Sequence, residues 1–226
     1  MSNSILAVKP LGFPWQTQDP FLFSVHHEDL YPAGNENMGP SNPVNDRPLG
    51  NDFQKKDGFR MYHGRNVPGF PAHPHRGFET VTVVEEGLID HSDSMKAAGR
   101  FGNGDVQWMT AGSGVQHSEM FPLLKTEEKN PLELFQIWLN LPAKSKMVRP
   151  HFKMLWNEEI PIVDEVDAAG KSIRVKVIAG NYKETNALNP APNSWAADNT
   201  HGVAIWNITL APNAVWTLPK AEKGIN

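Results

Sequence analysis

His73-Pro74-His75 sets two imidazoles at i and i+2, which puts both on one face of an extended segment. Their Cβ atoms then lie ~7 Å apart, and both rings can reach one ion at ~2.1 Å from each nitrogen. Pro74 stiffens this piece and disfavours a helical His73. Forty-two residues after His75 comes His117-Ser118-Glu119, a second i, i+2 pair of metal-competent side chains. Neighbouring strands bearing the two pairs would offer three neutral imidazoles and one carboxylate. Such a donor set suits a borderline divalent ion: Fe(II), Mn(II), Co(II), Ni(II), Cu(II) or Zn(II). The chain has no cysteine, so the thiolates that would favour zinc are missing. An octahedral ion held this way keeps two positions for water, oxygen or a chelating substrate, as a reactive site does and a closed structural site does not. A lone His-x-His arises readily by chance, and the weight comes from the two pairs together in a chain with nine histidines. Spacing leaves open whether Glu119 or Glu79 supplies the carboxylate.

Positioning these pairs calls for short strands. Phe78–Val84 alternates, with Glu79, Val81 and Val83 on one face and Thr80 and Thr82 on the other. Carried back by parity, that first face is the one bearing His73 and His75. In Val115–Met120 the residues Val115, His117 and Glu119 share a face. Leu132–Leu141 sets Phe135, Ile137 and Leu139 opposite Leu134, Gln136 and Trp138. Gln136 is the polar exception on its face and is expected to reach the metal chamber. Further strands are expected at Ile5–Val8, Phe21–Val25, Leu88–His91, Val106–Met109, His151–Trp156, Ile173–Ala179, Val203–Leu210 and Ala214–Leu218, with a connector at Ala143–Arg149. The 19 prolines and 18 glycines punctuate the chain too finely for long helices. Short strands at this spacing indicate an all-β barrel or sandwich.

The 226 residues can bury a real core in one large or two small β domains, with a boundary near Pro142. A net charge of −4, from 21 basic and 25 acidic side chains, argues against a general nucleic-acid or membrane-surface binder. No apolar run approaches the ~20 residues of a membrane helix, and the start lacks a basic segment followed by an apolar one. A cytoplasmic location is the simplest expectation. His26-His27-Glu28-Asp29 reads as a solvated segment, because adjacent strand residues face opposite ways. His63 and His91 lie near the motifs, where they could orient ligands or line a mouth, although surface or satisfied core positions are commoner for such histidines; Trp108 and Trp138 read as core.

The stretch from Gly69 to Thr82, GFPAHPHRGFETVT, resembles the signature of the pirin family, within the cupin superfamily. So do Gly104–Gly112 leading to Val115–Met120, the segment Leu134–Pro142, and His201–Trp206. The matches are long and span most of the chain. The resemblance implies an all-β protein of two cupin-type β-barrel (jelly-roll) domains, with one metal, typically iron, in the first. Residues 1–142 would be the metal-binding cupin and 143–226 a partial second cupin without a metal site, since no second His-x-His follows. The chain stops where similar sequences continue through further strands, so the second barrel is expected to be incomplete and to expose strand edges. Carried over residue by residue, the ligands fall on His73, His75, His117 and Glu119. Glu119 is then also the catalytic carboxylate, and Glu79 a second carboxylate near the ion or a buried structural group.

The resemblance further implies a dioxygenase, with Fe(II) as the expected ion, that cleaves a flavonol such as quercetin with O₂. The metal would bind the deprotonated 3-hydroxyl and adjacent carbonyl oxygens, while a carboxylate accepts the hydroxyl proton. The alternative is a non-catalytic iron-binding regulator that docks on a transcription factor or metabolic enzyme. Neither reading calls for direct contact with nucleic acid or membrane. A cupin that keeps the fold but catalyses nothing is a third reading.

Overall fold

The computed structural model describes residues 9–220. The expected strand Ile5–Val8 and the last residues of the chain lie outside that range. The described residues form fourteen strands: β1 (Phe21–Tyr31), β2 (Gly69–His75), β3 (Phe78–Glu86), β4 (Leu88–Asp93), β5 (Ala98–Gly102), β6 (Val106–Thr110), β7 (Val115–Met120), β8 (Asn130–Asn140), β9 (His151–Leu155), β10 (Ile162–Val166), β11 (Ser172–Ala179), β12 (Asn181–Tyr182), β13 (Thr185–Asn186) and β14 (Ile205–Leu210). Among these residues there is no α-helix, only single 3-10 turns at Ala143–Ser145, Trp195–Ala197 and Asn199–His201. The protein is all-β.

One sheet runs in the order β1-β8-β3-β6-β9 and a second in the order β2-β7-β4-β5, each with antiparallel ladders. β9 follows Pro142 in the chain yet extends the first sheet, pairing along β6. β10-β11-β14 make a third sheet. Between the first two sheets, Val84, Leu132 and Leu134 pack with Ile89, Phe101, Tyr62 and Phe121. On the other face of the five-stranded sheet, Val81, Val83, Trp108 and Leu139 pack against Ile178, Ala179, Val203 and Ile205 from the second half. That sheet is therefore covered on both sides, and six consecutive residues of β3, Glu79 to Val84, are buried.

Both faces matter for parity. Thr80 and Thr82 point between the sheets, and Glu79, Val81 and Val83 point toward the second half. The expectation that Glu79 shares the histidine face fails because the chain leaves one sheet for the other at Gly77. Its φ of +77° reverses the backbone in a conformation that L side chains rarely adopt. β2 and β3 are consequently not one continuous strand, and alternation cannot be counted through the turn.

Two other expectations are revised. His26–Asp29 lies inside β1 and is only half solvated: His27 and Asp29 are buried. Tyr62 donates its hydroxyl to Asp29 (2.5 Å) and accepts from His27 Nδ1 (2.8 Å), while Arg60 pairs with Asp29 at 3.2 Å. Burial, with the Arg60 charge, pushes the His27 imidazole down to about 3. Ala214–Leu218 is not a strand. Asn213 takes φ +63°, the Val215 N–H donates to Asp167, and the Trp216 indole donates to the Tyr182 hydroxyl. Side chains thus hold this segment without a ladder. The strand expected at Val203–Leu210 is present as β14, which pairs along β11 on one side and lies at the edge of the third sheet, with Val203 and Ile205 buried.

Trp108 sits at the centre of the contact between the halves with no exposed surface. Trp108→Ala should destabilise the chain by about 3–5 kcal/mol in urea unfolding. It should speed amide exchange in β11 and β14 more than in β7. Unchanged protection of β11 would mean that the second half does not depend on this contact.

Candidate metal centre

β2 is an edge strand of the four-stranded sheet, and for that reason it tolerates Pro71 and Pro74, which lack the N–H a central strand would need. Against β7 its register runs Phe70↔Glu119, then His73↔His117, so three steps on β2 match two on β7. The extra residue is a β-bulge, a device that re-aims side chains beside functional sites. Here the bulge brings the Pro71 carbonyl within 2.8 Å of His73 Nδ1. That nitrogen therefore carries the proton, and Nε2 keeps its lone pair. At Gly69, φ is +128° and a Cβ would come 2.5 Å from the Glu119 carbonyl oxygen, so glycine alone lets β2 close on β7 beside the ligands.

His73, His75 and His117 converge. One ring nitrogen from each lies within 4.8 Å of those of the other two, and His73 Nε2 and His75 Nε2 are 3.1 Å apart. Two nitrogens bound at ~2.1 Å and at right angles on one ion would be ~3.0 Å apart. The His117 ring is centred 4.5 Å from that of His73 and 4.8 Å from that of His75. Both His117 nitrogens are buried and have no hydrogen-bond partner among the described residues. An unpaired buried donor or acceptor is costly, and a bound ion would satisfy Nε2. The donor set therefore fits a divalent metal.

Glu119 stands beside this triad. Its Oε2 is 3.8 Å from His117 Nε2 and accepts from Gln136 Nε2 at 2.8 Å, while Oε1 accepts from Thr82 at 3.3 Å. Gln136 in turn accepts from the Trp138 indole at 3.2 Å. Trp138 also packs its ring 5.0 Å from His75 and stacks on Phe78 at 4.2 Å, so it is more than core filling. Glu79 is elsewhere. It is fully buried on the far face of β3, accepts from the Thr110 hydroxyl at 2.7 Å, and is pushed by burial up to about 7. Of the two places expected for Glu79, the structure gives it the second, a buried structural group away from the histidines. His63 is exposed and bonds the Gly50 carbonyl. His91 and Asp93, the second of which the sequence reading does not single out, lie directly across from Glu119 and His117 on β4. Their signal in the sequence was the His-Ser-Asp triplet, which mirrors His-Ser-Glu.

Burial dominates the electrostatics of the imidazoles. It pushes His75 down to about 3, with His117 and His73 adding to the effect and Glu119 opposing it. It does the same to His117, with His73 and His91 adding and Asp93 opposing. Both rings are thus neutral, ligand-ready bases well below neutral pH.

The family model described as Pirin matches residues 14–139. Pirin-like protein 2 of Arabidopsis thaliana is 47% identical over 112 residues, which cover 50% of this chain and 32% of its own length. A Pseudomonas aeruginosa protein provisionally named a quercetin 2,3-dioxygenase is 42% identical over 144 residues, covering 63% of this chain and 46% of its own. A crystal structure of quercetin 2,3-dioxygenase from Acinetobacter baumannii aligns with a TM-score of 0.54 at 30% identity, over 76% of this chain and 49% of that one. The chain spans about half the length, or less, of the curated relatives it matches.

Two outcomes follow for the metal-free and metal-loaded protein. His75→Ala and His117→Ala should each strip most of the metal from the purified chain, measured as ions per chain by elemental analysis. In EDTA, stability should fall as pH drops from 6.5 toward 3, because the unfolded chain takes up protons on these histidines that the folded chain refuses. Each such group contributes a slope of ~1.4 kcal/mol per pH unit inside that window. The double variant His75→Ala/His117→Ala should show a visibly flatter dependence of the urea midpoint on pH. An unchanged slope would mean that the two rings do not stay neutral in the folded state.

Proposed function

The chain belongs to the pirin family, and we propose that it is a divalent-metal-dependent dioxygenase, with Fe(II) as its ion, that cleaves a flavonol such as quercetin. The observation that carries this reading is the convergence of three imidazoles, two of them held neutral by burial, beside one buried, hydrogen-bonded carboxylate. The names of the Pseudomonas and Acinetobacter relatives support the substrate class.

His73, His75, His117 and Glu119 would hold the ion. When bound, the metal supplies Lewis acidity toward the flavonol's 3-hydroxyl and carbonyl oxygens, and a redox partner for O₂. The remaining work falls to the chain's own groups. Glu119 is the base: Thr82 and Gln136 fix the orientation of its carboxylate, and it accepts the proton of the 3-hydroxyl on Oε1 or Oε2. Trp138, packed between Phe23 (4.3 Å) and Phe78 (4.2 Å) and set edge-on to His75, makes an aromatic wall beside the histidines. His117 and Glu119 are 1% and 2% exposed, which keeps bulk water from competing at the reacting atoms. A surface depression lined by Pro74, His75, Arg76 and Gly114 lies beside His75.

Metal-loaded protein incubated aerobically with quercetin should bleach the flavonol and release carbon monoxide. Glu119→Gln should lower kcat by ~10²-fold or more, with metal content measured on the same sample to separate lost proton transfer from lost ion. Fully loaded wild-type protein that leaves quercetin intact and releases no carbon monoxide would overturn the flavonol reading and favour an iron-holding regulatory protein.

A further inference from the structure

His91-Ser92-Asp93 on β4 stands beside His117-Ser118-Glu119 on β7. The strands are antiparallel, so His91 faces Glu119 and Asp93 faces His117 across the ladder, as near as directly opposed residues come. The two serines point outward and bond each other at 2.9 Å, while the imidazoles and carboxylates share the inner face. The side chains of His91 and Asp93 are 2% and 0% exposed.

Asp93 has two jobs, one for each oxygen. Its Oδ1 accepts from the backbone N–H groups of Met95 (2.8 Å) and Ala97 (3.1 Å), which shapes the turn into β5. Its Oδ2 lies 3.0 Å from His91 Nε2. A carboxylate can only accept there, so His91 donates from Nε2 and leaves a lone pair on Nδ1, an atom that is buried and without a partner among the described residues. The His91 ring is wedged between Phe152, parallel at 5.5 Å and 7°, and His117, at 5.4 Å and 55°. Turn formation needs only Oδ1. The second oxygen and the wedged ring call for another explanation.

Charge supplies one. A divalent cation in a dry interior needs negative charge close by. Three neutral imidazoles bring none, Glu119 brings one, and Glu79 faces away. Asp93 is a second buried carboxylate on the ligand face. We propose that His91 and Asp93 form a positioning unit for the metal centre: His91 packs against the ring of His117 and holds it, and Asp93 places a second negative charge close to the ion and so strengthens its binding. This rests on the reading of the histidine triad as a metal site.

The discriminating variant is Asp93→Asn. Its amide oxygen can still accept from Met95 and Ala97, but its NH₂ donates toward His91, which reverses the ring's tautomer and removes the charge. Co(II) titrated calorimetrically into the full chain should bind Asp93→Asn 10–100-fold more weakly than wild type, and its visible bands should shift. The melting of the metal-free variant should stay close to wild type. His91→Phe, which keeps a ring between Phe152 and His117 while cutting the link to Asp93, should shift both readouts in the same direction. In iron-loaded protein, Asp93→Asn should raise the Fe(III)/Fe(II) potential, a change that loss of a turn contact would not produce. If wild type binds Co(II) and Asp93→Asn binds it within twofold with unchanged bands, the pair serves only the turn and the inference fails. If wild type itself binds no Co(II), the metal reading fails and takes this inference with it.

Discussion

The carboxylate of Glu119 crosses the interior of the sandwich. It is rooted in the four-stranded sheet, and its donors, Thr82 and Gln136, belong to the five-stranded one. A buried carboxylate without donors is driven toward its neutral form, so this contact fixes how the two sheets face each other at the depth of the histidines. Thr82 and Gln136 are themselves direct partners in the β3–β8 ladder. A one-residue slip in that ladder would turn either donor away from the interior. The hydrophobic packing of Val81, Val83 and Leu139 on the opposite face resists such a slip. The second half of the chain therefore bears on the site indirectly, by holding the register of strands that carry no ligand.

The site's other dependence is on a weak strand. β2 supplies two of the three imidazoles while lying at a sheet edge, carrying two prolines and containing a bulge. Each of these would be a defect in a central strand. At the edge they act together: the prolines limit the backbone, and the bulge brings the Pro71 carbonyl to His73. Gly69 lets the strand approach β7 within the distance of a missing Cβ. The chain has thereby fixed the tautomer of His73 through a backbone carbonyl.

Within a strand, parity could be read from the sequence. Val115–Met120 alternates as expected, and Phe135, Ile137 and Leu139 separate from Leu134, Gln136 and Trp138 as expected. Parity could not be carried across a change of sheet, which is why Glu79 was expected on the wrong face. The extent of β1 was equally hidden. His26–Asp29 looks too polar for a buried strand until Tyr62 and Arg60, more than thirty residues away, are placed against it. Ala214–Leu218 has the composition of a strand, but a left-handed Asn213 and bonds to Asp167 and Tyr182 replace the ladder. His91 is visible in a His-Ser-Asp triplet that mirrors His-Ser-Glu, but its place is not. Strand pairing decides which residue of β4 lands opposite Glu119, and spacing along the chain does not record that pairing.

The histidine cluster can also be weighed against an ordinary hydrogen-bonded core. His73 gives its Nδ1 proton to Pro71, so a proton on His75 Nε2 could bridge the 3.1 Å gap to His73 Nε2. Those two rings would then be satisfied with no ion at all. His117 cannot be accommodated in that way. It is 1% exposed, adjoins His73, His75 and His91, and finds no partner for either nitrogen among the described residues. Leaving such a ring unpaired would cost on the order of 1–3 kcal/mol per polar atom. A leucine at that position would remove the penalty and still fill the space. A buried imidazole whose Nε2 is left bare, set among other imidazoles and 3.8 Å from a carboxylate already fixed by two donors, makes physical sense when that nitrogen is reserved for a cation.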